Sequence, residues 1–99
     1  MPAILTPATR VVVSRDQVST NLSGEEVILS VKDGVYYGLD PVGARIWALM
    51  QERHSLGEVA DTITAEYHVE RDRALDDLLR LATDLLASGL IEVVPETPA

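Results

Sequence analysis

Residues 32–50 of this chain read KDGVYYGLDPVGARIWALM and join a tight hairpin, an aromatic strand and a capped helix. Asp33 and Gly34 stand between two apolar segments, a composition that predicts a two-residue type I′ turn, because both central residues of that turn need positive φ. The second strand, residues 35–39, runs into Asp40 and Pro41. An Asp side chain caps orphan amides and Pro fits the first helical position, so we expect a helix directly after the strand.

Length and composition limit the architecture to one small domain. The chain has 99 residues, of which 46% are hydrophobic, enough for a single core. It contains no Cys, which excludes a disulfide framework, a thiolate metal site and a cysteine nucleophile. The first residues lack a basic region, and Pro2 and Pro7 interrupt their apolar residues, so neither a signal peptide nor a membrane span is expected. We expect a soluble, cytoplasmic protein.

The charge balance disfavours nucleic acid as a partner. Eight basic and sixteen acidic residues give a net charge of −8, which opposes the long-range attraction to phosphate on which nucleic-acid binding depends. Acidity by itself mostly confers solubility. We therefore expect neither a nucleic-acid partner nor a membrane partner.

The pattern along the chain predicts strands first and helices afterwards. Residues 1–9 are expected to form a flexible arm, residues 10–94 the folded domain and residues 95–99 a flexible tail. Short segments at 11–13 and 17–22 fit edge strands, and the alternating segment 26–32 forms the first arm of the hairpin. Residues 91–94 fit a last short strand.

Three helices are predicted after the hairpin, over residues 41–53, 56–67 and 71–88. Ser55 and Glu58 match the capping box that starts the second helix. Leu78, Ala82 and Leu85 lie in the middle of the apolar arc of the third helix, and Gly89 is placed to end it. The fold class is therefore α+β and winged helix-turn-helix-like, with a three-stranded antiparallel sheet packed on three helices.

No pattern in the chain indicates catalysis or a bound cofactor. His54 and His68 are the only histidines and lack the paired spacing of a metal site. The adjacent carboxylates Glu25 and Glu26, and Asp76 and Asp77, point in different directions on a strand or helix and are poorly placed to share a proton. There is no Gly-rich phosphate loop, G-x-S-x-G or H-E-x-x-H motif. We expect no enzyme activity, catalytic residue, metal site or cofactor.

The adjacent residues Tyr36 and Tyr37 point to opposite faces of the second hairpin strand. Alternation places Tyr37 inward with Leu39 and Tyr36 outward. Tyr36 either covers the open face of the sheet or meets a partner. Gly38 is small and lies inside the strand, so another backbone can approach closely there, and a partner strand is the natural candidate.

The segments VYYGLDPVGARIWALM and LLASGLIEVV resemble the PqqD-like family, whose members show a strand ending in aromatic-x-Leu-Asn/Asp followed by a helix with Ile-Trp. The resemblance covers roughly residues 15–94. It implies a precursor-peptide recognition element, a non-catalytic module that binds the leader of a ribosomally made peptide. The net acidic charge and the segment YYGLDPVGARIW are more similar to the family members of lasso-peptide biosynthesis. In that type, the module delivers the precursor to a separate leader peptidase and then to a cyclase. The alternative type is a peptide chaperone in pyrroloquinoline quinone biosynthesis.

The resemblance also implies where the leader binds. In the family the leader adds as a strand to the free edge of the third sheet strand, here residues 35–39, and rests against the third helix, here about 71–83. This mode is β-augmentation. On that basis the walls of the site that holds apolar leader residues are expected to be Val35, Tyr36, Leu75 and Leu79. The full set of expected peptide-binding residues is Val35, Tyr36, Tyr37, Gly38, Leu39, Arg71, Asp72, Leu75, Asp76, Leu79 and Arg80.

Two other functions use the same elements. In a DNA-binding winged helix the third helix enters the major groove, but here Arg71, Arg73 and Arg80 are offset by acidic neighbours on that helix. A passive dimerisation module would pair the exposed strand edge with a second copy.

Overall fold

The structure is a computed structural model that describes residues 5–22 and 25–94. Strands come first in the chain and helices follow, as the sequence predicted. In chain order the elements are β1 (Val11–Val13), β2 (Gln17–Leu22), β3 (Glu25–Ser30), β4 (Val35–Leu39), α1 (Pro41–Met50), α2 (Leu56–Tyr67), α3 (Arg71–Ala87) and β5 (Ile91–Val93).

The hairpin between β3 and β4 has a longer connection than predicted. Ser30 pairs with Val35, so residues 31–34 form a four-residue loop. Gly34 has φ of 69° and donates its amide to the Ser30 carbonyl at 2.7 Å, but Asp33 does not have positive φ. The prediction of a type I′ turn was therefore wrong, because that turn needs positive φ at both positions. The pairing shifts by two residues, and since side chains alternate with a period of two, each keeps its predicted face.

The main sheet is antiparallel, with strand order β2-β3-β4. All six residues of β2 pair with β3 without interruption. β1 pairs with β5 in a separate two-stranded sheet, so the first predicted edge strand does not join the main sheet. The predicted combination of a three-stranded antiparallel sheet and three helices is confirmed.

Local capping signals set the ends of α1 and α3. The Asp40 carboxylate accepts the Gly43 amide at 2.7 Å, and Pro41 is the first residue of α1. This helix ends at Met50 rather than at residue 53, because residues 51–53 form turns and Arg53 has φ of 62°. α3 ends in a Schellman motif, in which the amide of Leu90 donates to the Leu85 carbonyl at 2.9 Å.

The predicted capping box starts α2. The Ser55 hydroxyl accepts the Glu58 amide at 3.2 Å, and the Glu58 carboxylate accepts the Ser55 amide at 2.7 Å. Ser55→Ala is expected to lower the free energy of unfolding by about 1 kcal/mol, because one amide of the first turn loses its acceptor. Ser55→Asp keeps an acceptor and serves as the control. Urea unfolding of the two variants measures the difference, and equal stability would contradict this role of Ser55.

The core lies where the sheet packs against the helices. Trp47 is 1% exposed, and its indole N–H donates to the Ser19 hydroxyl of β2 at 3.4 Å. Ile28 of β3 is fully buried on the same side of the sheet. The middle of the predicted apolar arc of α3, at Leu78, Ala82 and Leu85, is buried as expected.

The segment 5–9 is docked on the start of α2. The carbonyls of Thr9 and Pro7 accept the amides of Leu56 and Gly57 at 2.9 and 2.8 Å. A Cβ atom on Gly57 would lie 3.0 Å from the Pro7 carbonyl oxygen, so glycine permits this close approach. This half of the expected flexible arm is therefore held by α2. The rest of the arm, residues 1–4, and the expected tail, residues 95–99, lie outside the described residues.

Candidate functional site

The outer edge of β4 is available for pairing. β4 pairs with β3 on one side, and within residues 5–22 and 25–94 no strand pairs with its other side. Alternate residues of an antiparallel edge strand point their N–H and C=O groups away from the sheet. Tyr36 is 68% exposed and Val35 is 47% exposed, and Gly38 is exposed as well. This edge can therefore accept an additional strand.

On the inner face of β4, Tyr37 and Leu39 hold the strand against the helices. Leu39 is buried in the core, and Tyr37 is half-buried against it. The Tyr37 hydroxyl is hydrogen-bonded to the hydroxyl of Ser88, the residue that follows α3. Tyr37 and Leu39 therefore direct their side chains to the inner face of the sheet, whereas the Tyr36 side chain lies on its open face.

A cavity of about 760 Å³ opens beside the end of β4. We call it the groove, and its walls come from Gly38 and Leu39 of β4, the start of α1, the end of α2 and the N-terminal half of α3. Val42, Ile46 and Ile63 supply apolar surface to it. Its volume falls within the range of small-ligand and side-chain pockets. The groove therefore suits apolar side chains carried by a strand that lies along β4.

The structure does not bring Leu75 and Leu79 to this groove. The groove is lined by Glu70, which precedes α3, and by Arg73, Ala74, Asp77 and Leu81 of α3, whereas Leu75 and Leu79 are half-buried against the core elsewhere. At 3.6 residues per turn, Leu79 lies about 200° from Leu81 around the helix axis. Leu75 and Leu79 therefore lie on the margin of α3 opposite the groove, and their expected role as walls of the peptide site stays a prediction.

The charged residues expected to bind peptide also lie away from the groove. Asp72, Asp76 and Arg80 are exposed, and Arg80 pairs with Asp76 at 3.3 Å. Arg71 pairs with Asp61 of α2 at 2.7 Å, and this hydrogen bond raises the pKa of the Arg71 guanidinium. None of these four residues lines the groove.

Sequence reasoning missed several groove residues that come from three different helices. Tyr67 and Val69 line the groove and are 39% and 38% exposed. Tyr67 ends the second helix, and Val69 lies in the short break before the third helix. Two apolar residues at an otherwise polar break were the signal in the sequence that could have indicated a binding surface there. Val42 and Leu81 are apolar residues within predicted helices, but helical spacing alone does not show which apolar residues face a cavity.

The groove rim carries more negative than positive charge. Asp40, Glu70 and Asp77 line it together with a single cation, Arg73. The Arg73 guanidinium lies 3.9 Å from the Asp77 carboxylate, and the Glu70 side chain makes no capping hydrogen bond. This charge disfavours acidic ligands. Across the residues that the structure describes, no group of acidic, His or Cys side chains is arranged to hold a metal ion. None of the described helices is long and apolar enough to cross a membrane.

An ion pair joins the two helices that form one side of the groove. The Arg45 guanidinium of α1 donates to both carboxylate oxygens of Glu66 of α2, with contacts of 2.9 Å from Nε and 2.8 Å from the terminal nitrogen. The hydrogen bond from Arg45 lowers the pKa of Glu66 below the ordinary value of 4.5, although partial burial opposes the shift.

Acidification is expected to weaken the ion pair between Arg45 and Glu66. Because the folded pKa of Glu66 is lowered, its contribution to stability is present above pH 4.5 and is lost as the pH falls through the folded value. Thermal unfolding below pH 4.5 should therefore show a smaller pH dependence in Glu66→Gln than in the unmodified chain. Identical pH dependence in the two proteins would contradict a contribution from this pair.

Together these features define a class of protein: a small winged-helix-like domain with a free strand edge beside an apolar groove. The family model described as coenzyme PQQ synthesis protein D (PqqD) matches residues 25–91, which is most of the folded domain. The chain belongs to the PqqD family.

Two solved structures show the same fold. "TbiB1 in Complex with the TbiA(beta) Leader Peptide" is 36% identical in sequence, with a TM-score of 0.78 and coverage of 86% of this chain and 99% of that chain. "Lasso peptide synthetase B1 complexed with the leader peptide" is 28% identical, with a TM-score of 0.75 and coverage of 86% and 98%. No curated protein matches the chain. Both structures are similar to this chain over nearly their whole length, and both contain a leader peptide.

Proposed function

We propose that this chain captures the leader segment of a ribosomally synthesised precursor peptide and acts by binding rather than by catalysis. The observation that carries the proposal is the free edge of β4 beside an apolar groove. A leader in extended conformation adds to β4 as a fourth strand, and its inward side chains enter the groove. The family membership and the leader-bound relatives support the same assignment.

The energetics require both parts of this site. About four new backbone hydrogen bonds at a net ~0.5–1.5 kcal/mol each give roughly 2–6 kcal/mol. Micromolar affinity needs about 8 kcal/mol, and ordering the leader adds a further cost. Burial of one large apolar side chain contributes about 1.5–3 kcal/mol. Several apolar leader residues buried in the groove are therefore needed to close the difference.

The residues of the site take distinct roles in this proposal. The backbone of residues 35–39 pairs with the leader, and the exposed Tyr36 ring covers the added strand from the open face of the sheet. Val42, Ile46 and Leu81 contact the apolar anchors of the leader. The contact surface on α3 is its groove-lining margin rather than the margin that carries Leu75 and Leu79.

The two leader-bound relatives support a precursor peptide as the partner. Because one of them is a lasso peptide synthetase, we infer that the bound precursor is a lasso peptide and that this chain presents it to a separate leader peptidase and a cyclase in the cytoplasm. The PqqD family description alone favours the alternative, a peptide chaperone in pyrroloquinoline quinone biosynthesis.

A DNA-binding role has no support from α3. Arg71, Arg73 and Arg80 each lie within 4.0 Å of a carboxylate, at 2.7, 3.9 and 3.3 Å. These pairs leave no unpaired arginine among the described residues of the helix, where phosphate contact requires positive charge.

The test is fluorescence-polarisation binding of the full chain to the labelled leader of the precursor peptide encoded beside it, with a scrambled leader as the control. We expect saturable binding near or below micromolar for the native leader only. Equal binding of both leaders, or binding of neither, would contradict the proposed function.

A further inference from the structure

The groove beside β4 has apolar walls and an acidic rim. Its apolar surface comes from β4 and from all three helices. Three carboxylates and one guanidinium also line it, and they belong to Asp40, Glu70, Asp77 and Arg73. With three anions against one cation, the rim carries two net negative charges. A ligand that enters the groove therefore meets apolar atoms and an excess of negative charge together.

Two carboxylates of the rim have little compensation from the chain itself. Glu70 makes no side-chain capping hydrogen bond and no ion pair with any other residue that the structure describes. Asp77 lies 3.9 Å from Arg73, but both side chains are largely exposed, and an exposed pair at this distance contributes little. Asp40, by contrast, is occupied as the cap of α1. Glu70 and Asp77 can therefore attract a cation that a ligand supplies.

A strand that lies along β4 presents every second side chain to the groove. Two such side chains are about 6.6 Å apart along the strand. When one of them fills the apolar part of the groove, the next one on the same face reaches toward the rim. A Lys or Arg at that position can keep its methylene groups on the apolar wall and its charged group in water beside the carboxylates. An Asp or Glu there would be repelled by the rim.

We propose that the groove selects leaders in which a Lys or Arg stands two residues from the apolar anchor, and that Glu70 and Asp77 determine this preference. The inference rests on the proposed function, because it takes the leader to lie along β4. Glu70 and Asp77 are seven residues apart, which places them on the same side of the helix about two turns from each other. A long cationic side chain between them is attracted by both carboxylates.

The test is a double-mutant cycle in the fluorescence-polarisation assay with the labelled native leader. Alanine substitution of each large apolar leader residue first identifies the anchor as the residue whose loss weakens binding most. The Lys or Arg two residues from it is then replaced by Gln, which should weaken binding to the unmodified chain about twofold to fivefold, the range of exposed ion pairs. The same leader substitution should have no effect on binding to the double variant Glu70→Gln, Asp77→Asn, because both carboxylates are already gone.

The double variant Asp84→Asn, Glu92→Gln is the matched control. It removes two negative charges as well, but both residues are exposed and neither lines the groove. This control should bind the native leader like the unmodified chain and keep the full effect of the leader substitution. Equal weakening of both double variants would show that only the net charge of the chain matters, and it overturns the proposal.

Two further results overturn the proposal while leaving the proposed function intact. The first is saturable binding of a native leader that has no Lys or Arg two residues from its anchor. The second is an equal effect of the leader substitution on the unmodified chain and on Glu70→Gln, Asp77→Asn. The scrambled leader keeps every charge of the native one. Equal binding of both leaders, or binding of neither, therefore contradicts the proposed function itself, and this inference falls with it.

Discussion

Leu81→Asp is expected to lower leader affinity by about a hundredfold or more. Leu81 lines the groove from α3, and the substitution removes an apolar contact and places a carboxylate where an apolar leader side chain is to be buried. The lost burial is about 1.5–3 kcal/mol, and an unpaired charge in an apolar site adds to it. Fluorescence polarisation with the labelled leader measures the change, and far-UV circular dichroism shows that the fold is retained.

Leu79→Asp is the matched control for this variant. Leu79 lies on the same helix, is half-buried like Leu81 and packs partly on the core, but it does not line the groove. The two variants should lose similar stability, so a difference in leader affinity between them reports contact with the peptide. Strong binding by Leu81→Asp together with lost binding by Leu79→Asp would restore the margin first predicted from the sequence.

Trp47→Ala is expected to lower the free energy of unfolding by about 3–5 kcal/mol. The side chain is 1% exposed and lies between α1 and the sheet, where its indole N–H donates to Ser19. Domains of this kind have only 5–15 kcal/mol of stability in total, so the loss is a large share of it. Urea unfolding followed by circular dichroism measures it, since the variant lacks the only Trp of the chain.

Trp47→Phe is the control for the volume that is removed. Phe keeps an aromatic ring in the core but cannot donate to Ser19. Trp47→Phe should therefore lower the free energy of unfolding clearly less than Trp47→Ala does. Equal losses in the two variants would show that the Ser19 hydrogen bond dominates. A loss below about 1 kcal/mol for Trp47→Ala would contradict the central position of Trp47, since large-to-small core substitutions cost more than this.

Local signals in the sequence predicted most of the fold. The Asp40 cap, the capping box at Ser55 and the Schellman ending at Gly89 each depend on residues within one or two turns of a helix, and all three are present. The type I′ turn failed because the length of the connection depends on the pairing of whole strands. The pairing of Ile28 with Tyr37 fixes that register and places Asp33 inside a four-residue loop.

The sequence constrained the two faces of β4 more closely than the two margins of α3. Alternation along residues 35–39 assigned Tyr36 outward and Tyr37 inward, because the two faces of a strand follow from its period alone. The apolar arc of α3 has two margins, and nothing local distinguishes them. The margin at Leu81 faces the groove because α1, α2 and the end of β4 meet there, which is a property of the tertiary fold.

Amide hydrogen exchange of the full chain with and without leader tests most directly whether the leader binds as an added strand at β4. Strand addition at β4 should slow exchange at alternate amides of residues 35–39 and leave exchange along β2 unchanged. Because pairing at an antiparallel edge has a period of two, protection of every second amide is the expected signature. Protection of β2, or of the Leu75 and Leu79 margin of α3 without any change in β4, would contradict leader binding at the β4 edge.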